Sequence, residues 1–247
     1  MQPPETDFGT DIDVPAAVTA IAAGRRLTPI WRNVVGGLTY RIDDDYFVKF
    51  APKGVNLPLA QEAGRLAWAA RWTPVPEVVS AGQDDTGAWL VTKAIDARSA
   101  VDRHWKAHPA TAVKAIADGL RELHHGVPVK ECPFDWSVER RLAGADRNPG
   151  NGAAWRRAAT PPPIDRLVVC HGDPCAPNTL IGDDGRWRAH VDMATMGVAD
   201  RWADLAVGSW SLSWNYGDGW EDLFFDTYGI AADRERIAYY RLLWDLG

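Results

Sequence analysis

Residues 168–180 read VVCHGDPCAPNTL, and this stretch decides how the rest of the chain is understood. A short apolar run, Val168 to Cys170, has the β-branched character of a buried strand, and His171, Asp173 and Asn178 follow it within eight residues. Pro174 and Pro177 each fix φ and lack an N–H donor, so the polar segment is expected as an extended or looped ledge and not a helix. Polar ledges at strand ends, held by a rigid scaffold, are where binding and catalytic groups are commonly built.

The 247 residues, 46% of them hydrophobic, are enough for a sizeable core in one large domain or two small ones. With 27 Lys+Arg against 33 Asp+Glu, the net charge of -6 argues against a broad nucleic-acid-binding face. No run approaches the length of a membrane span, and MQPPETDFGTDIDVP has acids and prolines where a secretory signal would need a basic and then an apolar region. A cytoplasmic protein is therefore expected, with Cys132, Cys170 and Cys175 as reduced thiols and no nucleic-acid or membrane partner. Five of the thirteen tryptophans, Trp202, Trp210, Trp214, Trp220 and Trp244, fall in the last fifth of the chain and are expected mostly in the core.

Outward from the ledge, the first half reads as strands around one helix. WRNVVGGLTYRI and YFVKF flank the turn signal DDD, and PVPEVVSA and AWLVTKAI flank GQDDTG. Between the pairs, residues 59–72 place Leu59, Ala63, Leu66 and Ala70 at helical spacing. The second half reads as helical: in TAVKAIADGLRELHH, Val113, Ile116, Leu120 and Leu123 share one face. Residues 143–166 lack periodicity and read as a long loop with at most a short helix, TLI and RWRAHVDM form a hairpin around GDDG, and helix is expected from there to the end.

Two charges interrupt the apolar pattern. Lys49 sits mid-strand in YFVKF, and Glu62 falls on the face of Leu59, Ala63 and Leu66; each is costly to bury alone, so each is a candidate partner for the other. A solvated edge-strand lysine and a helix-rim glutamate fit the same pattern. Downstream, Asp173 and Asn178 in the ledge and Asp192 after the hairpin offer oxygens suited to Mg²⁺, and an aspartate could take the proton of an attacking hydroxyl. A lysine for phosphates, Asn and Asp for Mg²⁺ and an Asp beside the nucleophile are the parts of a phosphoryl-transfer site. Cys170, His171 and Cys175 lack the spacing of a zinc site, and no G-x-S-x-G elbow is present.

HGDPCAPN with VDMATMGVADRWADLA, preceded by Lys49, Glu62 and TPVPEVV, resembles the aminoglycoside O-phosphotransferase family, relatives of protein kinases, and the resemblance runs from about Trp31 to Gly247. It implies an α+β, two-lobed protein-kinase-like fold, with a β-rich nucleotide-binding lobe over 1–94 and a mainly helical catalytic and substrate-binding lobe over 95–247. It implies Mg²⁺-dependent transfer of the γ-phosphoryl group of ATP or GTP to a hydroxyl of an aminoglycoside by a monomeric resistance enzyme. The wording VVCHGDPCxPN is most similar to the streptomycin 3''-kinase branch, with the kanamycin and neomycin 3'-kinases next. A kinase of another small hydroxylated metabolite and a non-catalytic nucleotide-binding protein are the alternatives.

Position by position, the resemblance assigns Lys49 to the α- and β-phosphates, oriented by Glu62, and Phe47 to the adenine. Backbone groups from Thr92 to Ala94 go to the base and those of Gly37 to Thr39 to the phosphates. Asp173 becomes the catalytic base or hydroxyl-orienting residue, also touching substrate, Asn178 and Asp192 the Mg²⁺ ligands, and His171 a brace of the loop. Asp200 and Asp204 are expected to cap a helix and hold the loop. The family usually has glycine where this chain has Ala194, a residue that disfavours φ > 0. A polycationic substrate wants carboxylates, and Asp218 and Asp245 are the candidates, with the carboxylate of Gly247 close behind Asp245.

Overall fold

The computed structural model describes residues 14–144 and 152–246. Expectations that fall on 1–13, on 145–151 and on the Gly247 carboxylate lie outside the described residues. The chain divides into two compact units, one running to Arg71 and resuming over Val75–Asp96, the other made of Trp72–Pro74 and everything from Ala97 on.

The first unit is a five-stranded antiparallel sheet with two helices. Helix α1 (Ala16–Ala22) precedes β1 (Leu27–Arg32), β2 (Leu38–Ile42) and β3 (Tyr46–Pro52); α2 (Leu59–Ala69) follows, then β4 (Val78–Gln83) and β5 (Gly87–Lys93). Their spatial order is β1-β2-β3-β5-β4. Alternation along the strands buries Tyr40, Ile42, Val48, Phe50 and Val91 in a cluster with Val18 and Ala22 of α1. Sequence reading missed α1: seven residues without a side-chain cap and with only two buried positions carry almost no periodic signal. It also ran β1 and β2 together, whereas the chain turns between them at Asn33 to Gly37. Helix α2 buries Leu59, Glu62, Leu66 and Ala69, so its inward stripe is rotated from the expected Leu59/Ala63/Leu66/Ala70 line and takes Glu62 inside.

The second unit is mainly helical. A two-residue strand β6 (Arg98–Ser99) leads to α3 (Arg103–Lys106) and the long α4 (Pro109–Gly126), and α5 (Val138–Gly144) and α6 (Gly152–Ala158) fall within or beside the expected 143–166 loop. Val113, Ile116, Leu120 and Leu123 of α4 are all buried, each contributing about 1.5–3 kcal/mol by leaving water. Strands β7 (Leu167–Cys170), β8 (Thr179–Ile181), β9 (Trp187–His190) and β10 (Gly197–Asp200) follow, then α7 (Trp202–Tyr216), α8 (Glu221–Tyr228) and α9 (Arg234–Asp245). Strand β10, which was expected as helix, pairs antiparallel with β7 so that Gly197 faces Cys170, while β8 and β9 form the expected hairpin. Of the five late tryptophans only Trp202 is fully buried; Trp210, Trp214, Trp220 and Trp244 are half-buried, with Trp210 and Trp214 stacked 4.9 Å apart. Among the described residues, no helix is long and apolar enough to cross a membrane.

Candidate active site

Strand register assembles one group of candidate residues within the first unit. Thr39 lies opposite Lys49, and Phe47 opposite Thr92, so these four side chains share the sheet face turned away from the α1 cluster. Lys49 Nζ meets Glu62 Oε1 at 2.7 Å, with the glutamate side chain only 4% exposed in the buried stripe of α2. Phe47 also carries the Arg41 guanidinium 5.8 Å from its ring centre.

The backbone groups are arranged differently from the sequence expectation. Gly37 donates its N–H to Asn33 Oδ1 at 2.7 Å, and Asn33 and Gly36 close the turn with their own N–H groups. A Cβ on Gly37 would stand 2.2 Å from Leu57 Cδ1 and 2.8 Å from Asn33 Nδ2, so both side chains would have to move to admit one. The N–H groups with no partner among the described residues are those of Val34 and Val35, at the exposed tip. On β5, the Lys93 N–H is taken by the Glu77 carbonyl and the Ala94 N–H by that of Asp45, so neither is a spare donor for a base.

The ledge lies in the second unit. Its prolines do not exclude helix altogether: Ala176–Asn178 makes a single 3-10 turn, which tolerates proline in its first positions. Gly172 has φ +86°, and a Cβ there would lie 2.4 Å from the Thr195 carbonyl oxygen, so the turn into Asp173 requires glycine twice over. Helix α7 holds the ledge from one side. Asp204 accepts the N–H groups of His171 at 2.6 Å and Gly172 at 3.0 Å, and seven residues on, Ser211 Oγ accepts the N–H of Ala176 at 2.9 Å. Sequence reading found Asp204 and missed Ser211, whose only signal is its spacing of two helical turns from Asp204. Asp200 accepts the Trp202 N–H at the start of α7 and the Asp165 N–H. His171 accepts the Asp173 N–H at Nδ1 and lies 3.0 Å from the Val191 carbonyl through Nε2, an arrangement that suits a brace holding the Nε2–H tautomer.

Asp173, Asn178 and Asp192 are brought together by the β8–β9 pairing. Thr179 faces His190, the Val191 N–H donates to the Asn178 carbonyl at 3.0 Å, and Asp192 comes next. The Asn178 side-chain amide donates to the Asp173 carbonyl at 3.0 Å, which leaves its oxygen as the group able to ligate a cation. Asp173 Oδ1 is buried without a hydrogen-bond partner. Burial pushes the Asp173 carboxyl above the usual range and the charge of Asp192 adds to the shift, while Cys175 and His171 oppose it. Burial likewise pushes the Cys175 thiol well up. Burial alone would raise Asp204 as well, but the hydrogen bond and charge of His124, the charge of His171 and the Gly172 N–H hold it below the ordinary range. The Asp192 carboxylate and the Asn178 amide oxygen are hard ligands of the kind Mg²⁺ prefers, so these residues fit that ion. The left-handed backbone expected to trouble Ala194 falls instead on Asp192, at φ 61°; aspartate tolerates that region better than most side chains.

Of the two acidic candidates for substrate, Asp218 lines a cavity of about 440 Å³ with Trp210, Trp220, Asp222 and Arg241. Glu221, in the same wall, is already paired with Arg234 and Arg241. Asp245 is exposed in the last turn of α9 and is not part of that wall.

This arrangement has a counterpart among known proteins, for residues 32–240 match the profile of the phosphotransferase enzyme family. The chain belongs to that family. It is 37% identical to the aminoglycoside 3'-phosphotransferase of Streptomyces fradiae over 221 residues, covering 78% of this chain and 81% of the relative. It is 32% identical to the streptomycin 3''-kinase of Streptomyces griseus, covering 80% and 83%. Among solved structures, the aminoglycoside phosphotransferase APH(3'')-Id of Streptomyces rimosus, in complex with ADP and streptomycin, superposes with a TM-score of 0.71 at 26% identity, over 96% of this chain and 99% of that one. The kinase-like α+β fold implied by the sequence resemblance is the one this phosphotransferase has.

Proposed function

We propose that this chain transfers the γ-phosphoryl group of ATP or GTP, with Mg²⁺, to a hydroxyl of an aminoglycoside, and so confers resistance to it. The observation that carries the reading is the ledge: a partnerless buried Asp173 oxygen beside Asn178 and Asp192, two residues whose oxygens suit a divalent cation. The chemistry of the transferred group is the nucleotide's and the cation's, which supply the leaving group and neutralise its charge.

The chain's own residues bind and aim. Lys49, oriented by Glu62, holds the α- and β-phosphates; Phe47 packs on the base, opposite Thr92; the Val34 and Val35 N–H groups cover the phosphates. Asn178 and Asp192 hold the cation. Asp173 accepts the proton of the attacking hydroxyl, and its burial keeps the carboxyl a better proton acceptor than an exposed aspartate. No covalent enzyme intermediate is needed, because positioning and charge neutralisation account for this class of transfer. Asp218, in its aromatic-walled cavity, answers an ammonium group of the substrate.

Between the two branches, the relative of higher identity acts at the 3' position, which favours a 3' hydroxyl, with streptomycin 3'' as the other arm. The test is turnover of ATP and GTP with Mg²⁺ over kanamycin, neomycin, streptomycin and hygromycin, with mass analysis of products. One added phosphate on kanamycin or neomycin supports the 3' reading, and on streptomycin alone the 3'' reading. Nucleotide binding with no drug modified would overturn the aminoglycoside assignment in favour of another hydroxylated metabolite.

A further inference from the structure

The loop carrying Asp173 is braced from behind by buried side chains drawn from three helices. The Tyr228 hydroxyl of α8 lies 2.8 Å from His124 Nδ1 of α4, and His124 Nε2 lies 3.0 Å from Asp204 Oδ2 of α7. Asp204 in turn accepts the N–H groups of His171 and Gly172, the two residues before Asp173. All three side chains are buried, and among the described residues His124 is the only side chain bonded to the Asp204 carboxylate. The cluster of His124, Cys170 and Asp204 has ligand atoms within 4.8 Å of one another, a spacing a metal ion could accept. Both ring nitrogens of His124 are already engaged, however, so a metal would have to break this brace to bind.

We propose that His124 is a positioning residue for the phosphoryl transfer described above: through Asp204 it fixes the backbone N–H groups of His171 and Gly172, and with them the aim of Asp173. The inference rests on the function proposed for that site. A wholly buried carboxylate that accepts three hydrogen bonds is satisfied; with the imidazole gone, a charge remains held by two backbone amides, and the segment must shift to find another donor. In the neutral ring Nε2–H faces Asp204 and Nδ1 accepts from Tyr228, so the tyrosine selects the tautomer that serves the carboxylate. Lys49 and Glu62 lie on β3 and α2 and take no part in this brace, so binding of the nucleotide is spared.

The test compares His124→Phe, His124→Gln and Tyr228→Phe with Leu123→Ala, a buried neighbour on α4 outside the network. Steady-state kinetics are measured well below each variant's Tm, and amide hydrogen exchange of 168–176 is followed by mass spectrometry. His124→Phe is expected to lower kcat by about 10- to 100-fold, the scale of a misplacement near an ångström. Nucleotide KM stays within about twofold, and exchange at His171 and Gly172 quickens. His124→Gln, whose amide can still donate to Asp204, recovers most of kcat, and Tyr228→Phe gives a smaller loss in the same parameter. Leu123→Ala lowers Tm and moves neither kcat nor that exchange. Unchanged kcat and exchange in a folded His124→Phe would overturn the proposal, as would the same losses in Leu123→Ala. Should His124→Phe not fold, an unchanged Tyr228→Phe together with a His124→Gln that loses kcat like a deletion overturns it. If the wild type phosphorylates no aminoglycoside, the function proposed above fails, and the exchange comparison alone still decides whether His124 holds the loop.

Discussion

Glu62 Oε1 receives the Lys49 ammonium at 2.7 Å from inside the buried stripe of α2, so the helix itself aims the lysine. Glu62→Ala therefore leaves the lysine charge in place and removes its orientation. Nucleotide KM should rise by about tenfold with a smaller change in kcat, whereas Lys49→Ala should lower kcat/KM by about 100-fold or more. Equal effects of the two substitutions on KM and kcat would refute this division of roles. Nucleotide titration of both variants alongside steady-state kinetics separates them.

The task proposed for Asp173 conflicts with stability. Its Oδ1 is buried and partnerless, and burial raises its pKa in the folded chain. A carboxyl with a raised folded pKa binds its proton more tightly folded than unfolded, so stability falls as pH rises from the unfolded value of 3.8 through the folded one. Asp173→Asn removes that penalty: without added divalent cation at pH 7, the variant should be more stable by about 1 kcal/mol and inactive. Denaturant unfolding at pH 4 and pH 7 tests the sign, since the gain should shrink at the lower pH. A variant that is inactive and less stable at pH 7 would show that Asp173 is held by contacts stronger than its burial cost.

What was legible in the sequence follows from how each residue is held. Lys49, Glu62, Asp173, Asn178 and Asp192 stand out because charged or amide side chains interrupt strand, helix and loop patterns, and the structure draws them into two local groups, the Lys49–Glu62 pair and the ledge. The β2–β3 and β8–β9 hairpins could be read from DDD and GDDG. Strand β10 could not, since Gly197 to Asp200 is strand by pairing with β7 and by the bridge from Val198 to Asp135, both remote in sequence. Ser211 and His124 were silent for a related reason: each looks like an ordinary helix residue until the fold sets it against the ledge or against Asp204. The glycine turn misled in its details. Asn33 takes the Gly37 N–H with its own side chain, and no pattern of glycines reports that.

Gly172 admits no side chain. Its φ of +86° and the 2.4 Å separation between a built Cβ and the Thr195 carbonyl oxygen mean that Gly172→Ala must strain the backbone and push the 192–196 segment away. The expected cost is about 2–4 kcal/mol, from the left-handed conformation and the displaced backbone together. Activity should fall further than stability, because the shift falls between Asp173 and Asp192. Thermal unfolding and kcat measured on the same preparation check both halves, and an alanine variant with wild-type kcat would contradict the geometry.

His190 presents the opposite case, a polar side chain where an apolar one would fit. It is 1% exposed, neither ring nitrogen makes a well-formed hydrogen bond, the Gly119 backbone offering at most a weak one, and it packs against His171 and Trp187 with ring centres 5.2 Å away in each case. Burial, with the charge of His171 adding, pushes its pKa down from 6.5 to about 3. Between those values the unfolded chain binds a proton that the folded chain refuses, so stability is lost as pH falls through that window, by at most about 5 kcal/mol for the whole shift. His190→Phe keeps an aromatic ring and removes two poorly satisfied nitrogens. It should gain about 1–3 kcal/mol at pH 7 and lose less stability than the wild type between pH 6.5 and pH 4, measured without divalent cation. A phenylalanine variant that is less stable at pH 7, or whose acid limb matches the wild type, would mean that the imidazole makes a bond in solution that its surroundings here do not supply.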